Sequence, residues 1–439
     1  MNNFLFDSRD MVTGPYITCP KCDKETYGIL SVYDNSYSRR CKNCLYPKGD
    51  ETHESFVLPR INKKVIYLDQ FAISNMMKIL NPKTKANKKG IDEYWLRLFE
   101  RLDRLCKLQL IVCPDSEYHD NESQVTAFYR ELKRMYELLS HGKTFCDKET
   151  IKEFQLYDHF ANWLVGENSV ALDLDIESIV HGNLNGWTSR LVVSVNREIN
   201  IEAIEALLKH RNQSYSEIEG VFRGWSESKN TNFNYWYKNE IESFGRGALN
   251  MYFKHQLKLY ELWNNPEFED FGDFEALLPS STVRHVNMML KVLDEHGMED
   301  DLMKLSKIVE YFRTANFDNL PFLHLSASLF ASIARKAAAG RKKPPNRGTV
   351  NDIEMISTLL PYCDAMFIDN EFASYLNEKP LTDNIGFPTK IFSQASREDF
   401  LHYLNDIEGS ASQKHTELVT KVYGKSWTQP YVTLYKRME

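Results

Sequence analysis

A chain of 439 residues, 42% hydrophobic and 26% charged, has the size and composition of a globular protein with two or three structural units, which excludes disordered and fibrous classes. Its formal charge of −7 excludes a generally basic coat for nucleic acid, while leaving room for a local basic groove beside an acidic site. Residues 1–11 carry Asp7 and Asp10 and no apolar run, and no later stretch supplies the ~18 uncharged apolar residues of a membrane span; the expectation is a cytoplasmic protein with no membrane partner, in a compartment where paired cysteines bind metal more often than they form disulfides.

Residues 1–60 read as a small zinc ribbon. Cys19-Pro-Lys-Cys22 and Cys41-Lys-Asn-Cys44 are two CxxC pairs about 18 residues apart, the spacing at which a hairpin returns the second pair to complete a four-thiolate zinc tetrahedron. Four thiolates leave no open position, so this Zn²⁺ is expected to be structural, with Lys21, Arg39, Arg40 and Lys42 available to a nucleic acid or partner. Cys106, Cys113, Cys146 and Cys363 stand in apolar contexts and read as small buried hydrophobes.

Residues 61–122 carry the pattern of a parallel α/β unit. Val65-Ile66-Tyr67-Leu68 is a buried strand ending at Asp69; Ile91, Trp95, Leu98, Leu102 and Leu105 form a helical stripe; Leu108 to Val112 is a second strand stopped by Pro114. Residues 123–340 change character to helical spacing (Phe128, Leu132, Tyr136, Leu139; Ile201, Ile204, Leu207, Leu208), a long, mainly α-helical insertion. The Gly-, Pro- and Lys/Arg-rich segment 340–348 is a loop, and a helix follows with Asn351 or Asp352 near its N-cap. Strands at Ala365–Ile368 and Thr389–Ser393 complete the sheet, so that residues 341–400 form the second half of a core interrupted by the insertion. Residues 401–439 remain as a C-terminal extension.

Two of these strands end in aspartate, Asp69 and Asp369, and in a parallel sheet the carboxyl ends of strands build the ligand crevice. Asp352 enters from the first turn of its helix. After Pro114, a helix opening near Asp115 or Ser116 places Ser116, His119 and Glu122 along one face; Glu117 points away from Glu122, which is the preferred fourth acid. Ser116 suits an N-cap better than a nucleophile. His119 is either a proton shuttle beside Glu122 or a histidine satisfied by a local hydrogen bond. Carboxylates gathered in one crevice cannot all stay ionised cheaply, and oxygen-only ligands suit Mg²⁺ or Mn²⁺, which activate water and stabilise charge on a phosphodiester.

The strand ending in Asp69, the segment Pro114-x-Ser116-x-x-His119-x-x-Glu122, the helix-opening Asp352 and the strand-ending Asp369 together resemble the PIN-domain nucleases over about 110 residues. The resemblance implies a parallel-sheet PIN-like core and a Mg²⁺- or Mn²⁺-dependent endonuclease, acting on RNA more than DNA. It also implies that Asp69, Glu122, Asp352 and Asp369 hold the metal, with His119 a further catalytic candidate, and that the setting is a bacterial toxin or antiphage defence effector. The zinc ribbon and the insertion depart from the compact family pattern, and the insertion suits a regulatory protein or an oligomer partner. Alternatives in the same chain are a DNA nuclease with the same site and a catalytically silent docking module. For the nucleic acid itself, Arg341, Lys342, Lys343 and Arg347 precede Asp352, and Lys78, Lys83, Lys85, Lys88 and Lys89 follow Asp69; such side chains supply phosphate contacts.

Overall fold

The computed structural model describes residues 7–47, 55–85, 92–167, 170–190, 201–264 and 278–436. The predicted positions Lys88, Lys89 and Ile91 lie outside the described residues.

An antiparallel sheet of β1 (Thr13–Ile17), β2 (Tyr27–Tyr33), β3 (Ser36–Cys41) and β4 (Ser55–Val57), in that order, forms the ribbon. Its far turn is tied to the rest of the chain: Trp187 donates its amide to Asp34 O at 2.8 Å and its indole N–H to Pro59 O at 2.9 Å. Ile29, Val32 and Tyr37 are buried in the same apolar cluster as the first helices of the core, so the ribbon packs on the core through one end and carries its cysteines at the other.

The second sheet is wholly parallel. Its strands are β5 (Lys64–Leu68), β6 (Ile111–Val112), β9 (Ala365–Phe367) and β10 (Lys390–Phe392), in the spatial order β10-β9-β5-β6. β5 pairs with β6 through Lys64↔Ile111 and with β9 through Ile66↔Ala365. The chain thus moves outward from β5 to one edge, then returns to the other side of β5, and the carboxyl ends of β5 and β9 flank the point where the strand order reverses. In doubly wound sheets this is where ligands bind.

Strand alternation divides the core into two layers. Ile66, Leu68, Ala365 and Phe367 face α1 (Gln70–Leu80), α2 (Tyr94–Lys107) and α4 (Tyr129–Ser140). Val65, Tyr67 and Met366 face helices from farther along the chain: α6 (Ile201–Ser228), α10 (Pro321–Ala338), α11 (Thr349–Leu359) and α12 (Asn370–Asn377). Burying each such aliphatic or aromatic side chain contributes about 1.5–3 kcal/mol. α3 (Glu117–Gln124) ends the first half of the core and runs into the insertion, which also supplies α5 (Lys148–Leu164), α7 (Phe233–Trp263), α8 (Ser281–Glu295) and α9 (Asp301–Thr314); these last four share a third apolar cluster around Phe160, Met289 and Tyr311. Among its described residues the insertion contains one short strand pair, β7 (Thr144–Phe145) with β8 (Val180–His181). No helix among the described residues is long and apolar enough to cross a membrane.

Three sequence expectations shift. The strand expected over 108–112 is only Ile111–Val112, because Leu108 to Leu110 close α2 instead. Gln109 sits at φ 63°, its amide bonds Cys106 O at 3.0 Å and that of Leu110 bonds Leu105 O at 3.1 Å, the paired bonds of a Schellman cap. The helix carrying Asp352 is capped at Gly348 rather than at Asn351 or Asp352. The C-terminal extension is part of the core: Phe400 and Leu404 of α13 (Arg397–Gly409) and Val419 and Val422 of α14 (Gln413–Tyr423) complete the layer over Phe367 and Phe392.

Candidate functional site

The cysteine site is built from two turns of the same design. Cys19 N donates to Lys24 O at 2.9 Å and receives Asp23 N on its carbonyl at 3.0 Å; Cys41 N donates to Tyr46 O at 2.8 Å and receives Leu45 N at 2.9 Å. Asp23 and Leu45 adopt left-handed φ values of 55° and 60°, which lets each turn close tightly enough to aim amides at sulfur: Lys21 N lies 3.4 Å from Cys19 Sγ and Cys44 N 3.3 Å from Cys41 Sγ. The four sulfurs lie within 4.8 Å of one another, with Cys19–Cys44 and Cys22–Cys41 each at 3.7 Å. A tetrahedron with metal–sulfur bonds of about 2.3 Å has edges of about 3.8 Å, so the donor set fits zinc and leaves it no open position. Burial pushes Cys44 up to about 12, whereas at Cys41 burial is outweighed by the Cys44 amide and the Thr26 hydroxyl, which bring it down to about 6. Four thiolates held this close could be compensated by a divalent metal ion.

The expected basic face around the ribbon is smaller than its sequence suggests. Lys21 and Lys42 are exposed, but Arg39 is only 3% exposed and donates to Pro15 O and Tyr27 O at 3.1 and 3.0 Å. It braces strands rather than greeting a partner.

The four acids come from four elements. Asp69 ends β5 and caps α1, its Oδ1 accepting Phe71 N at 3.3 Å. Asp369 follows β9 and caps α12, with Oδ1 accepting Glu371 N and Phe372 N at 2.6 and 3.0 Å. The aspartates at the switch point are therefore caps, and capping engages one oxygen of each. Asp352 lies in the first turn of α11 and Glu122 on α3. Asp69, Glu122 and Asp352 line one small cavity with Tyr67, His119 and Asn351, and its interior, ≈10 Å³ open to the centre of a water-sized sphere, is about the room one water or ion needs. Asp369 borders this cluster rather than the cavity.

Charge couples all four. Burial, Glu122 and Asp369 push Asp69 up to about 7, against the pull of the Phe71 amide and His119. Burial, then Asp69, Asp369 and Glu122, raise Asp352 well above the usual carboxylate range. Burial raises Glu122 in spite of His119 and Arg211, and raises Asp369 in spite of its two amides. Among the described residues, only the four cysteines bring three or more ligand atoms within 4.8 Å of one another; the carboxylates are set wider.

Several predicted roles change. His119 is 2% exposed and lies flat between Tyr67 and Tyr136, with ring centroids at 4.9 and 4.4 Å. Its Nε2 faces Leu68 O at 2.8 Å and its Nδ1 faces Asp115 Oδ1 at 3.2 Å, so neither ring nitrogen is left to carry a proton to substrate. Asp115 is itself bonded by Lys133 at 2.7 Å; burial opposes its ionisation, but His119 and Lys133 prevail and bring it to about 2. His119 thus positions Leu68 and tempers the charge of Asp69 and Glu122. Ser116 caps α3, accepting His119 N at 3.4 Å. Glu117 turns away, as expected, and accepts Lys148 N at 3.1 Å.

Arg341, expected to contact nucleic acid, pairs with Glu371 at 2.8 Å and bonds the Tyr375 hydroxyl; it neutralises the acid beside Asp369. Lys342, Lys343 and Arg347 are exposed, with Arg347 over the Tyr215 ring at 5.6 Å. Sequence reasoning missed Asp115 and Lys133 as the charges behind His119 and Arg211 as a neighbour of Glu122. Lys133 and Arg211 sit in the insertion at no recognisable spacing from the acids; Asp115 lies within the quoted motif and was passed over.

No protein-family model matches the chain, and the searches of curated proteins and of solved structures returned no match either.

Proposed function

We propose that the chain is a divalent-metal-dependent endonuclease, acting on RNA in preference to DNA, in which Asp69, Glu122, Asp352 and Asp369 hold Mg²⁺ or Mn²⁺ at the switch point of a PIN-like core. The observation that carries this reading is a small cavity lined by Asp69, Glu122 and Asp352 with Asp369 beside it; burial raises all four carboxyls, acidic neighbours from the set add to the rise at Asp69 and Asp352, and none of the four is in an ion pair with Lys or Arg among the described residues. In a crevice of effective dielectric ~20, two like charges ~5 Å apart repel by about 3 kcal/mol. A fold that keeps such an arrangement is poised for a cation, and all-oxygen donors select a hard one.

Bound there, a divalent ion lowers the pKa of water and offsets charge on a phosphate. The chain's own part is to orient the acids. The caps of α1 and α12 fix Asp69 and Asp369, the stacked His119 fixes the backbone before Asp69, and Tyr67 and Met355 complete the wall of the cavity. In hydrolysis, the water oxygen bonds to phosphorus, the ester P–O bond breaks, and the departing oxygen takes the proton. The resemblance alone supports the proposed setting, a regulated toxin or antiphage effector in the cytoplasm, with the insertion receiving a regulatory partner.

Purified full-length protein offered matched single-stranded RNA and DNA tests the activity. Cleavage is expected with Mg²⁺ or Mn²⁺, abolished by EDTA, restored by added metal, and lost in Asp69→Asn and Asp352→Asn. Variants that cleave as fast as wild type overturn the proposal; preferential cleavage of DNA changes its substrate.

A further inference from the structure

A second cavity of ≈250 Å³ adjoins the acid site. It shares Glu122 and Asn351 with that site and is lined further by Asn121, Lys148, Leu207 and Arg211. Its two cations differ in what they already do. Lys148 is committed, its ammonium to Glu354 at 2.5 Å and its amide to Glu117 at 3.1 Å. Arg211 is not: among the described residues it makes no hydrogen bond or ion pair, although its charge is felt at Glu122.

The placement of Arg211 follows from packing. On α6, Ile218, Phe222 and Trp225 are each 5–6% exposed and pack against the sheet layer containing Tyr67 and Met366. Arg211 and Tyr215 precede them at the same helical spacing, so burial of that apolar face fixes the azimuth of both. At 1.5 Å per residue, Arg211 stands about 10 Å farther along the axis than Ile218, where the face leaves the core and meets the cleft. Tyr215 lies between, under Arg347. The result is a half-buried guanidinium whose fork of donors is unused among the described residues, facing a cavity contiguous with a cluster of acids. A phosphodiester bridging a cation-loaded acid site and a guanidinium is the group whose geometry and charge the two sides share.

We infer that Arg211, delivered by the inserted helix α6, holds a backbone phosphate of the RNA beside Glu122, so that the insertion completes the nucleic-acid site. This rests on the endonuclease reading.

The test uses full-length protein, single-stranded RNA and Mn²⁺, with Mn²⁺ affinity measured separately by calorimetry. A charge-assisted contact of this kind is expected to be worth ~10–100-fold. Arg211→Ala is therefore expected to lower kcat/KM by that factor and to reduce the salt dependence of binding by about one ion. Arg211→Lys is expected to recover part of the loss. Mn²⁺ affinity is expected to stay within about two-fold of wild type, and Arg223→Ala, which removes an exposed cation from the same helix, is expected to cleave normally. Wild-type kcat/KM in Arg211→Ala overturns the role of Arg211 while leaving the nuclease standing, and a parallel loss of Mn²⁺ affinity also overturns it by reassigning Arg211 to metal binding. A wild-type protein that neither binds Mn²⁺ nor cleaves RNA or DNA removes the nuclease reading and this inference with it.

Discussion

Asp69→Asn separates two jobs that a single carboxylate performs at the head of α1. Asparagine caps a helix about as well as aspartate, so the bond from Phe71 N survives while the charge is lost. Burial and the neighbouring Glu122 and Asp369 push Asp69 up to about 7 from 3.8. A carboxyl whose folded pKa lies above its unfolded value favours folding while both states are protonated; that advantage is lost as pH rises from about 3.8 to about 7, and above this the folded state bears the full penalty of a confined charge. The gap corresponds to a ceiling of roughly 4 kcal/mol. Because burial is the largest cause of the rise and Glu122 and Asp369 supply the rest, removing the charge is expected to recover about 1–3 kcal/mol of this. In urea unfolding of metal-free protein, Asp69→Asn should therefore be more stable than wild type at pH 8, and less than half of that difference should persist at pH 5. Mn²⁺ should stabilise wild type at pH 8 and leave the variant unchanged. A variant destabilised equally at both pH values, and stabilised by Mn²⁺ as wild type is, would show that Asp69 is a helix cap and nothing more.

The remaining predictions concern the other parts of the two sites. Purified protein should carry one zinc per chain by elemental analysis. Its removal, or Cys41→Ser, should expose the amides of residues 13–41 to hydrogen exchange, whereas unchanged protection of the stripped protein would dismiss the zinc as structural. His119→Gln should destabilise the fold by roughly 2–4 kcal/mol, since it opens the stack between Tyr67 and Tyr136 and removes one partner of buried Asp115; loss of one limb of the pH–rate profile without that destabilisation would restore the proton-shuttle role. Mn²⁺ binding should tighten between pH 6 and 8 and release protons, because Asp69 is held up to about 7 and must be deprotonated to bind. Calorimetry in buffers of different ionisation enthalpy measures that release, and pH-independent affinity would argue against Asp69 as a ligand.

What was legible in the sequence was local. Two CxxC pairs at a set spacing announce their own geometry, and β-branched runs ending in Asp69 and Asp369 announce buried parallel strands. The strand starting at Leu108 was misread because alternation of Leu108 with Leu110 imitates a strand, whereas Gln109 accepts a left-handed φ and closes a helix. Arg39 and Arg341 read as surface cations because charge is visible in a sequence and pairing is not; Glu371 and Tyr375 claim Arg341 only once α12 folds beside its loop. Arg211 lies in the insertion, 89 residues beyond Glu122, and only the apolar face of α6 brings it to the site.

The position of the insertion explains why it can matter to chemistry. In the order β10-β9-β5-β6, the link from β6 to β9 must cross over β5, whereas the other two links join neighbours. A crossover between parallel strands needs a helix in any case, and lengthening it adds little, about 0.6 kcal/mol per doubling of a flexible loop. The insertion limits even that by building its own apolar cluster around Phe160, Met289 and Tyr311. The same link also runs past the carboxyl ends of β5 and β9, where Asp69 and Asp369 stand. Helices added there border the acids, whereas helices added between β5 and β6 pack on the opposite layer with α1 and α2. An insertion at this point can therefore border the acid site, as Arg211 does in the cavity it shares with Glu122.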